Sequence, residues 1–483
     1  MQYNQLRVWN FDLPPYPREG VFHLDLSEHC QVTRYLKFEA GQLAHFHQLD
    51  VISTPAELKI FQRKLRKKLQ AKLGVEYDPA LPLDVQTFGE VEKPDFTVTK
   101  LIYQSRPGIY VTALLYTPRG KGPFPAVLQM HGHNVEGKFG INPQSVSLAL
   151  VKSGFVCLTV DAIGTYERAN VPYKVENHGS IQAGVLLNTG ETLLGSQLVD
   201  NRRGIDLLAS LPYVDRRKIG ATGASGGGNQ TMYLAAFDER IAAAMPVVSV
   251  GSFESYVYGV NCMCELIPDG LTITSEAGVL ALIAPRPLCI ANALYDCNFD
   301  FRAEEMLKTY HAVEKVYWNL GKGENLSYAI ADRPHSYTDR QREAALGFFT
   351  CFLKGEGHGR PLPLPEIELI PEQDLHLFDP PESRPKAVAT LGDITRKRGD
   401  ILHEKLINTP VFSAGAKRRE LQKLLRLTPP KAGKLQRFAE VDGTGRFAVQ
   451  FGHHLLPFLL RKGKTAGKIR HSPPPRGQGG DSR

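Results

Sequence analysis

Apolar residues recur at helical spacing before residue 75 and at strand spacing from Phe96 onward. Leu58, Phe61, Leu65, Leu69 and Leu73 fall every three or four positions beside Lys59, Arg63, Lys64, Lys67 and Lys68. That pattern predicts an amphipathic helix over 55–73, outside the main sheet, with a positive, solvated face. Short β-rich runs follow at 97–103, 110–116 and 126–130, and Arg106-Pro107-Gly108 predicts that the first two pair antiparallel. Strand-like runs at 155–160, 219–222, 242–250, 288–293 and 316–318 then alternate with helical stretches at 145–152, 193–211, 227–236, 301–313 and 339–353. Such alternation implies a mainly parallel sheet with helices on both faces.

Two insertions break the rhythm, 164–191 and 251–285, and long loops at the ends of parallel strands commonly wall a binding site. Their aromatics, Tyr166, Tyr173, Phe253, Tyr256 and Tyr258, would either stack on a sugar or pack the loops. Arg360-Pro-Leu-Pro-Leu-Pro365 reads as a stiff linker, so the expected organisation is an N-terminal extension (1–84), a catalytic domain (85–357) and a C-terminal segment (358–483). The last segment holds a predicted basic helix over 417–427. Its Leu455–Gly477 stretch resembles residues 111–132 faintly, as the opening of an incomplete second module would.

Charge alters one inference. The 483 residues carry a net +8, an invitation to think of nucleic acid or anionic membranes. From Arg384 onward, however, 22 Lys and Arg face 7 Asp and Glu, so the first 383 residues are net −7. The body offers no electrostatic case for nucleic acid. No run approaches the ~20 apolar residues of a spanning helix, and residues 1–20 lack the apolar stretch of a signal peptide, so the expectation is a soluble, cytoplasmic protein. Seven scattered cysteines argue against a disulfide framework. Cys262 and Cys264 form a C-x-C pair with no matching Cys or His cluster nearby in the sequence, and are read as small buried thiols.

The sharpest chemical signal is Gly223-Ala224-Ser225-Gly226-Gly227, between a strand-like and a helix-like run. Flanking glycines let the chain bend sharply and leave the Ser225 hydroxyl exposed as a nucleophile. A serine hydroxyl needs a base to take its proton and a carboxylate to orient that base, in the chain order Ser, acid, His. Asp296 follows the strand at 288–293 where the acid belongs; Asp300, at the next helix start, is its competitor. His335 precedes the last helix, the position of the base. Two backbone N–H donors must meet the oxyanion: Gly226 supplies one, and His133 or Asn134, after strand 126–130 in His131-Gly132-His133-Asn134, the other. Zinc held by His131 and His133 is the alternative for that turn, and it lacks a positioned third ligand, so no metal is expected.

These residues lie within a wider set: Val160-Asp161-Ala162-Ile163-Gly164-Thr165-Tyr166-Glu167-Arg168, Asp200-Asn-Arg-Arg-Gly-Ile-Asp206, Cys262-Met-Cys264 with Pro268, Ile283-Ala284-Pro285-Arg286-Pro287 and Pro334-His335. Over about residues 85–355 the chain resembles the α/β-hydrolase esterases of the acetyl xylan esterase and cephalosporin-C deacetylase type, kin to dienelactone hydrolases and prolyl-oligopeptidase-type peptidases. The resemblance implies the α/β-hydrolase fold, a Ser225–Asp296–His335 triad, no cofactor and a small-molecule or carbohydrate ester as substrate. Glu167 and Arg168 are read as a structural ion pair. Family members commonly carry glycine and proline in the acid loop, where this chain has Leu294-Tyr295-Asp296-Cys297-Asn298. The expected function is a serine esterase working through an acyl-enzyme. A prolyl-oligopeptidase-type exopeptidase, or a binding protein with a vestigial site, is the competing reading.

Overall fold

A computed structural model describes residues 31–43, 48–173, 181–259, 262–409, 413–425, 435–441, 444–451 and 454–461. The chain divides into two compact units, Met1–Leu406 and Ile407–Arg483.

The first unit is built on nine strands: β1 (Gln86–Glu92), β2 (Phe96–Arg106), β3 (Ile109–Pro118), β4 (Phe124–Met130), β5 (Val156–Val160), β6 (Val214–Ala224), β7 (Ile241–Val247), β8 (Leu288–Tyr295) and β9 (Leu326–Pro334). They lie in the order β1-β2-β3-β5-β4-β6-β7-β8-β9. β1, β2 and β3 run antiparallel, β3 meets β5 antiparallel, and the pairs from β5 through β9 are parallel. β3, β4 and β5 are buried almost throughout, as strands covered on both faces must be.

Six helices matter for the site and its support: α1 (Gln31–Leu43), α2 (Pro55–Leu73), α3 (Ile141–Lys152), α4 (Ile181–Asn188), α5 (Leu193–Ser210) and α6 (Gly226–Phe237). α2 shows how local chemistry and packing combine. Thr54 caps its start by accepting from the Glu57 N–H, Glu57 accepts from the Thr54 N–H, Pro55 opens the first turn, and Gly74 closes the helix at φ 74°. Leu58, Leu65, Leu69 and Leu73 are buried, whereas Lys59, Arg63, Lys64, Lys67 and Lys68 are exposed. The amide of Gln62 donates to the Ala284 carbonyl (2.7 Å), joining this helix to the catalytic body.

The structure departs from the sequence expectation in four places. Residues 316–318 are not a strand but the end of the helix Ala303–Asn319, where Met306, Tyr310, Val313 and Tyr317 are buried at helical spacing. A three-residue run of Val, Tyr and Trp carries β propensity, and packing overrides it. The true last strand is β9, an edge whose mixed burial hid it from hydropathy. β1 is an edge of the same kind, with no fully buried residue. Finally, the residues beyond Gly357 do not leave the body as a linker. Ile370 and Gln144 exchange hydrogen bonds (2.6 and 3.1 Å), and Ile370, Leu375 and Phe378 are buried in one cluster with Phe139 and Phe155.

The second unit contains a helix, Ala414–Leu424, and a three-stranded antiparallel sheet, Leu435–Val441, Thr444–Phe451 and His454–Arg461. The expected basic helix is the first of these. Most of the Leu455–Gly477 stretch, and the proline-rich end, lie outside the described residues.

Candidate active site

β4 and β6 run parallel with Met130 opposite Gly223, so the loops leaving both strands meet at one end of the sheet. There the chain turns from β6 into α6 at Ser225, whose φ of 58° and ψ of −126° form a strained corner. The Ser225 N–H donates to the Val247 carbonyl (2.9 Å), and the Asn229 N–H donates back to the Ser225 carbonyl (2.9 Å). The glycines are required by contact. A Cβ on Gly223 would lie 2.4 Å from the Met130 carbonyl oxygen, and one on Gly227 would meet the same atom at 2.4 Å. The Ser225 hydroxyl is buried and has no hydrogen-bond partner among the described residues.

Ser225 and His335 line one cavity of about 190 Å³, together with His131, His133, Asn134, Val248 and Cys297. His335 follows β9, and its Nδ1 stands 2.8 Å from Asp296 Oδ2 at the end of β8. The other oxygen of Asp296 accepts the Asn298 N–H (2.8 Å), which fixes the carboxylate plane. Phe301 stacks on the imidazole, with ring centroids 5.9 Å apart and planes 19° apart. Nδ1 faces the carboxylate, and Nε2, on the other side of the ring, lies 3.5 Å from the Asn298 side-chain nitrogen. Asp300 is also buried, but neither of its oxygens has a hydrogen-bond partner among the described residues. Burial, then the charges of Glu305 and Asp296, push its carboxyl up to about 7.

The β4 exit loop presses on the serine turn. A Cβ on Gly132 would sit 2.7 Å from the Gly226 nitrogen, so only glycine fits there. Gly226 opens α6, and an N–H in the first turn has no acceptor within its helix. The Asn134 side-chain amide donates to the Gly137 carbonyl (2.5 Å), holding the loop closed. Beneath it lies a buried charge network absent from the sequence reading. Asp161 accepts from the Thr112 hydroxyl (2.8 Å), the Lys138 N–H (2.9 Å) and the Lys138 ammonium (2.5 Å), and faces His131 Nε2 at 3.3 Å. Lys138 also donates to Glu167. Burial alone would raise the Asp161 carboxyl, but Lys138 and His131 outweigh it and hold it well below its ordinary value.

Glu167 and Arg168 therefore do not pair with each other. Glu167 takes Lys138, the Tyr173 hydroxyl (2.8 Å) and the Leu377 N–H (2.8 Å), while Arg168 pairs with Asp200 (2.8 Å). The two insertions also behave differently from expectation: among their described residues none lines the cavity. Tyr173 stacks on His376 (4.1 Å between centroids) and Tyr256 packs edge-on to Phe301 (5.9 Å). Tyr166 packs on Phe139, and Phe253 lies in the core. The side chain of Tyr258 is outside the described residues.

A second departure concerns the C-x-C pair. Its thiols are not isolated from other ligand types: one ring nitrogen of His133 and the sulfurs of Cys262 and Cys264 lie within 4.8 Å of one another. The Glu265 carboxylate accepts the Cys262 N–H (3.1 Å), and burial, then the Cys262 thiol, push it up to about 8. Nothing in the local sequence signals this meeting, because the partners come from loops far apart in the chain.

A mainly parallel sheet with a strained serine between β6 and α6 defines an α/β-hydrolase. Residues 77–254 match the acetyl xylan esterase (AXE1) family model, a span that includes Ser225 and stops before Asp296 and His335. That part of the chain is similar to the acetyl xylan esterases, and the match supports a carboxylic ester hydrolase. It is 27% identical over 237 residues to the Bacillus subtilis protein named "Putative hydrolase YtaP", across 46% of this chain and 77% of that one. Among solved structures it resembles the methylesterase BT1017, with a TM-score of 0.56 and 21% identity over 77% of this chain and 80% of that one. It also resembles a "putative acetyl xylan esterase" from Bacteroides fragilis, with a TM-score of 0.52 and 16% identity over 64% and 84% of the two chains. At those identities the two structures show a shared fold. Among the described residues no helix is long and apolar enough to cross a membrane.

Proposed function

We propose that this hydrolase removes a short acyl group from a carbohydrate through a Ser225–His335–Asp296 triad. The observation that carries the reading is the 2.8 Å contact of His335 with Asp296 on the wall of the cavity that holds the partnerless Ser225 hydroxyl. In the proposed reaction Nε2 of His335 takes the Ser225 proton as Oγ attacks the ester carbonyl. Asp296 holds Nδ1–H and stabilises the imidazolium. The N–H of Gly226 and that of His133 or Asn134 receive the oxyanion. The imidazolium then protonates the departing alcohol oxygen, and water, activated by the same Nε2, releases the acid and regenerates Ser225.

The small cavity supports a short acyl group, since drug-sized ligands need roughly 300 Å³ or more, and the family match supports an acetyl group on a sugar. We assign the catalytic unit to the first compact body rather than to a domain ending at Gly357. A cytoplasmic location belongs to the same proposal, and cell fractionation tests it. A series of p-nitrophenyl esters from acetyl to octanoyl, run with acetylated xylo-oligosaccharides, tests the acyl specificity. Fastest turnover on acetyl esters is expected, and a maximum at long chains would overturn it.

A further inference from the structure

The imidazole of His133 and the thiols of Cys262 and Cys264 are used by no step above, although the His133 N–H is a candidate oxyanion donor and the residue lines the cavity. The three ligand atoms come from two loops distant in sequence and still converge to within 4.8 Å of one another. In a tetrahedral zinc site, with Zn–S of about 2.3 Å and Zn–N of about 2.0–2.1 Å, ligand atoms are separated by roughly 3.4–3.8 Å. The cluster therefore needs little movement to enclose an ion. The donor set of one imidazole and two thiols suits a borderline-soft divalent cation rather than magnesium or calcium, which take oxygen ligands.

Three further contacts support this arrangement. Cys264 is fully buried, its carbonyl accepts from the Asn229 amide (3.2 Å), and its own N–H donates to Cys262 Sγ (3.4 Å), so the Cys262 sulfur is oriented by the Cys264 backbone. Glu265 is buried beside them, and no Lys or Arg among the described residues pairs with it. A carboxylate is an ordinary ligand of zinc, and here it is the nearest further donor.

We propose that His133, Cys262 and Cys264 bind a zinc-class divalent cation, with Glu265 or water completing the coordination. Binding releases two thiol protons to solvent, leaves both thiolates on the metal and changes no oxidation state. The site is a structural clasp. It ties the 262–268 loop to the β4 exit loop beside the oxyanion donors, for a Cβ on Gly226 would lie only 3.2 Å from Cys264 Sγ. It is independent of the triad, and Ser225→Ala protein should bind the metal as wild type does.

The test is a Co²⁺ titration of the reduced, metal-stripped full chain, followed by competition with Zn²⁺. One equivalent should bind with a thiolate-to-cobalt charge-transfer band and tetrahedral ligand-field bands, Zn²⁺ should abolish both, and Zn²⁺ should raise the melting temperature. Cys264→Ser and Cys262→Ser should each lose the charge-transfer intensity, while Cys297→Ser should keep it. A spectrum of six-coordinate cobalt without the thiolate band, with a melting temperature unmoved by Zn²⁺, would overturn the proposal. So would a thiolate band that survives in the Cys262→Ser, Cys264→Ser double variant.

Discussion

Asp296 Oδ2 lies 2.8 Å from His335 Nδ1, whereas Asp300, four residues further on, offers its carboxylate no hydrogen-bond partner among the described residues. Two acids compatible with one place in the sequence are thus in different chemical situations. Asp296→Asn should lower kcat by about 10³- to 10⁴-fold, because an amide favours the wrong imidazole tautomer and cannot stabilise the imidazolium. Asp300→Asn should lower it far less. Steady-state kinetics of both variants on one short ester check this, and the reverse order would move the acid to Asp300.

Asp300 gives a second, pH-dependent expectation. Its carboxyl stands at about 7 in the folded protein because burial and the neighbouring Glu305 and Asp296 charges oppose ionisation. An acid whose pKa is raised on folding holds its proton longer in the native state than in the unfolded chain. It therefore costs stability as pH climbs from the unfolded value near 4 toward 7, and the cost is constant above that. Asp300→Asn should be stabilising relative to wild type, by a margin that grows over this interval toward a ceiling of a few kcal/mol. Urea unfolding at pH 5 and pH 8 measures it, and a margin that shrinks with pH would contradict the account.

Lys138 is enclosed by Asp161 and Glu167, with all three side chains buried. Removing the cation leaves two carboxylates facing each other out of water. Lys138→Met should therefore destabilise the protein by about 3–5 kcal/mol. Chemical denaturation checks this, and a loss below about 1 kcal/mol would mean that the network relaxes without its cation. Because His131 also faces Asp161, the loop that carries the proposed second oxyanion donor, His133 or Asn134, should loosen as well.

How much of this was legible in the sequence follows from where each signal is local. The serine turn was readable because a strained corner needs glycine on both sides, and Gly223 and Gly227 are where a Cβ would strike the Met130 carbonyl. The antiparallel β2–β3 pair was readable from its turn residues. β9 was not, because an edge strand lacks the apolar run that marked the central strands. The C-terminal part of the helix Ala303–Asn319 was lost to the local β propensity of Val316 and its aromatic neighbours. Lys138, Asp161 and Glu167, like His133 with Cys262 and Cys264, owe their meeting to the sheet topology. No local pattern announces such contacts.

The segment after Gly357 has the composition of a linker but packs on the body. Leu377 donates its N–H to Glu167, Arg384 donates to the Ala169 carbonyl (2.6 Å), and Phe378 is buried under Tyr173. A chain ending at Gly357 should thus lose several kcal/mol through the exposed Phe139–Phe155 cluster and the unpaired Glu167. A chain ending near Ile407 should keep the melting temperature and activity of the full protein. Calorimetry and ester turnover on the two truncations compare them, and a stable, active 1–357 fragment would remove this segment from the catalytic unit.

The proposed role of Ser225 as the nucleophile of a sugar deacetylase is tested by kcat on an acetylated xylo-oligosaccharide for wild type and Ser225→Ala, with folding of both verified by circular dichroism. A folded variant slower by at least about 10⁴-fold is the predicted result. A folded Ser225→Ala protein that deacetylates within tenfold of wild type would contradict it.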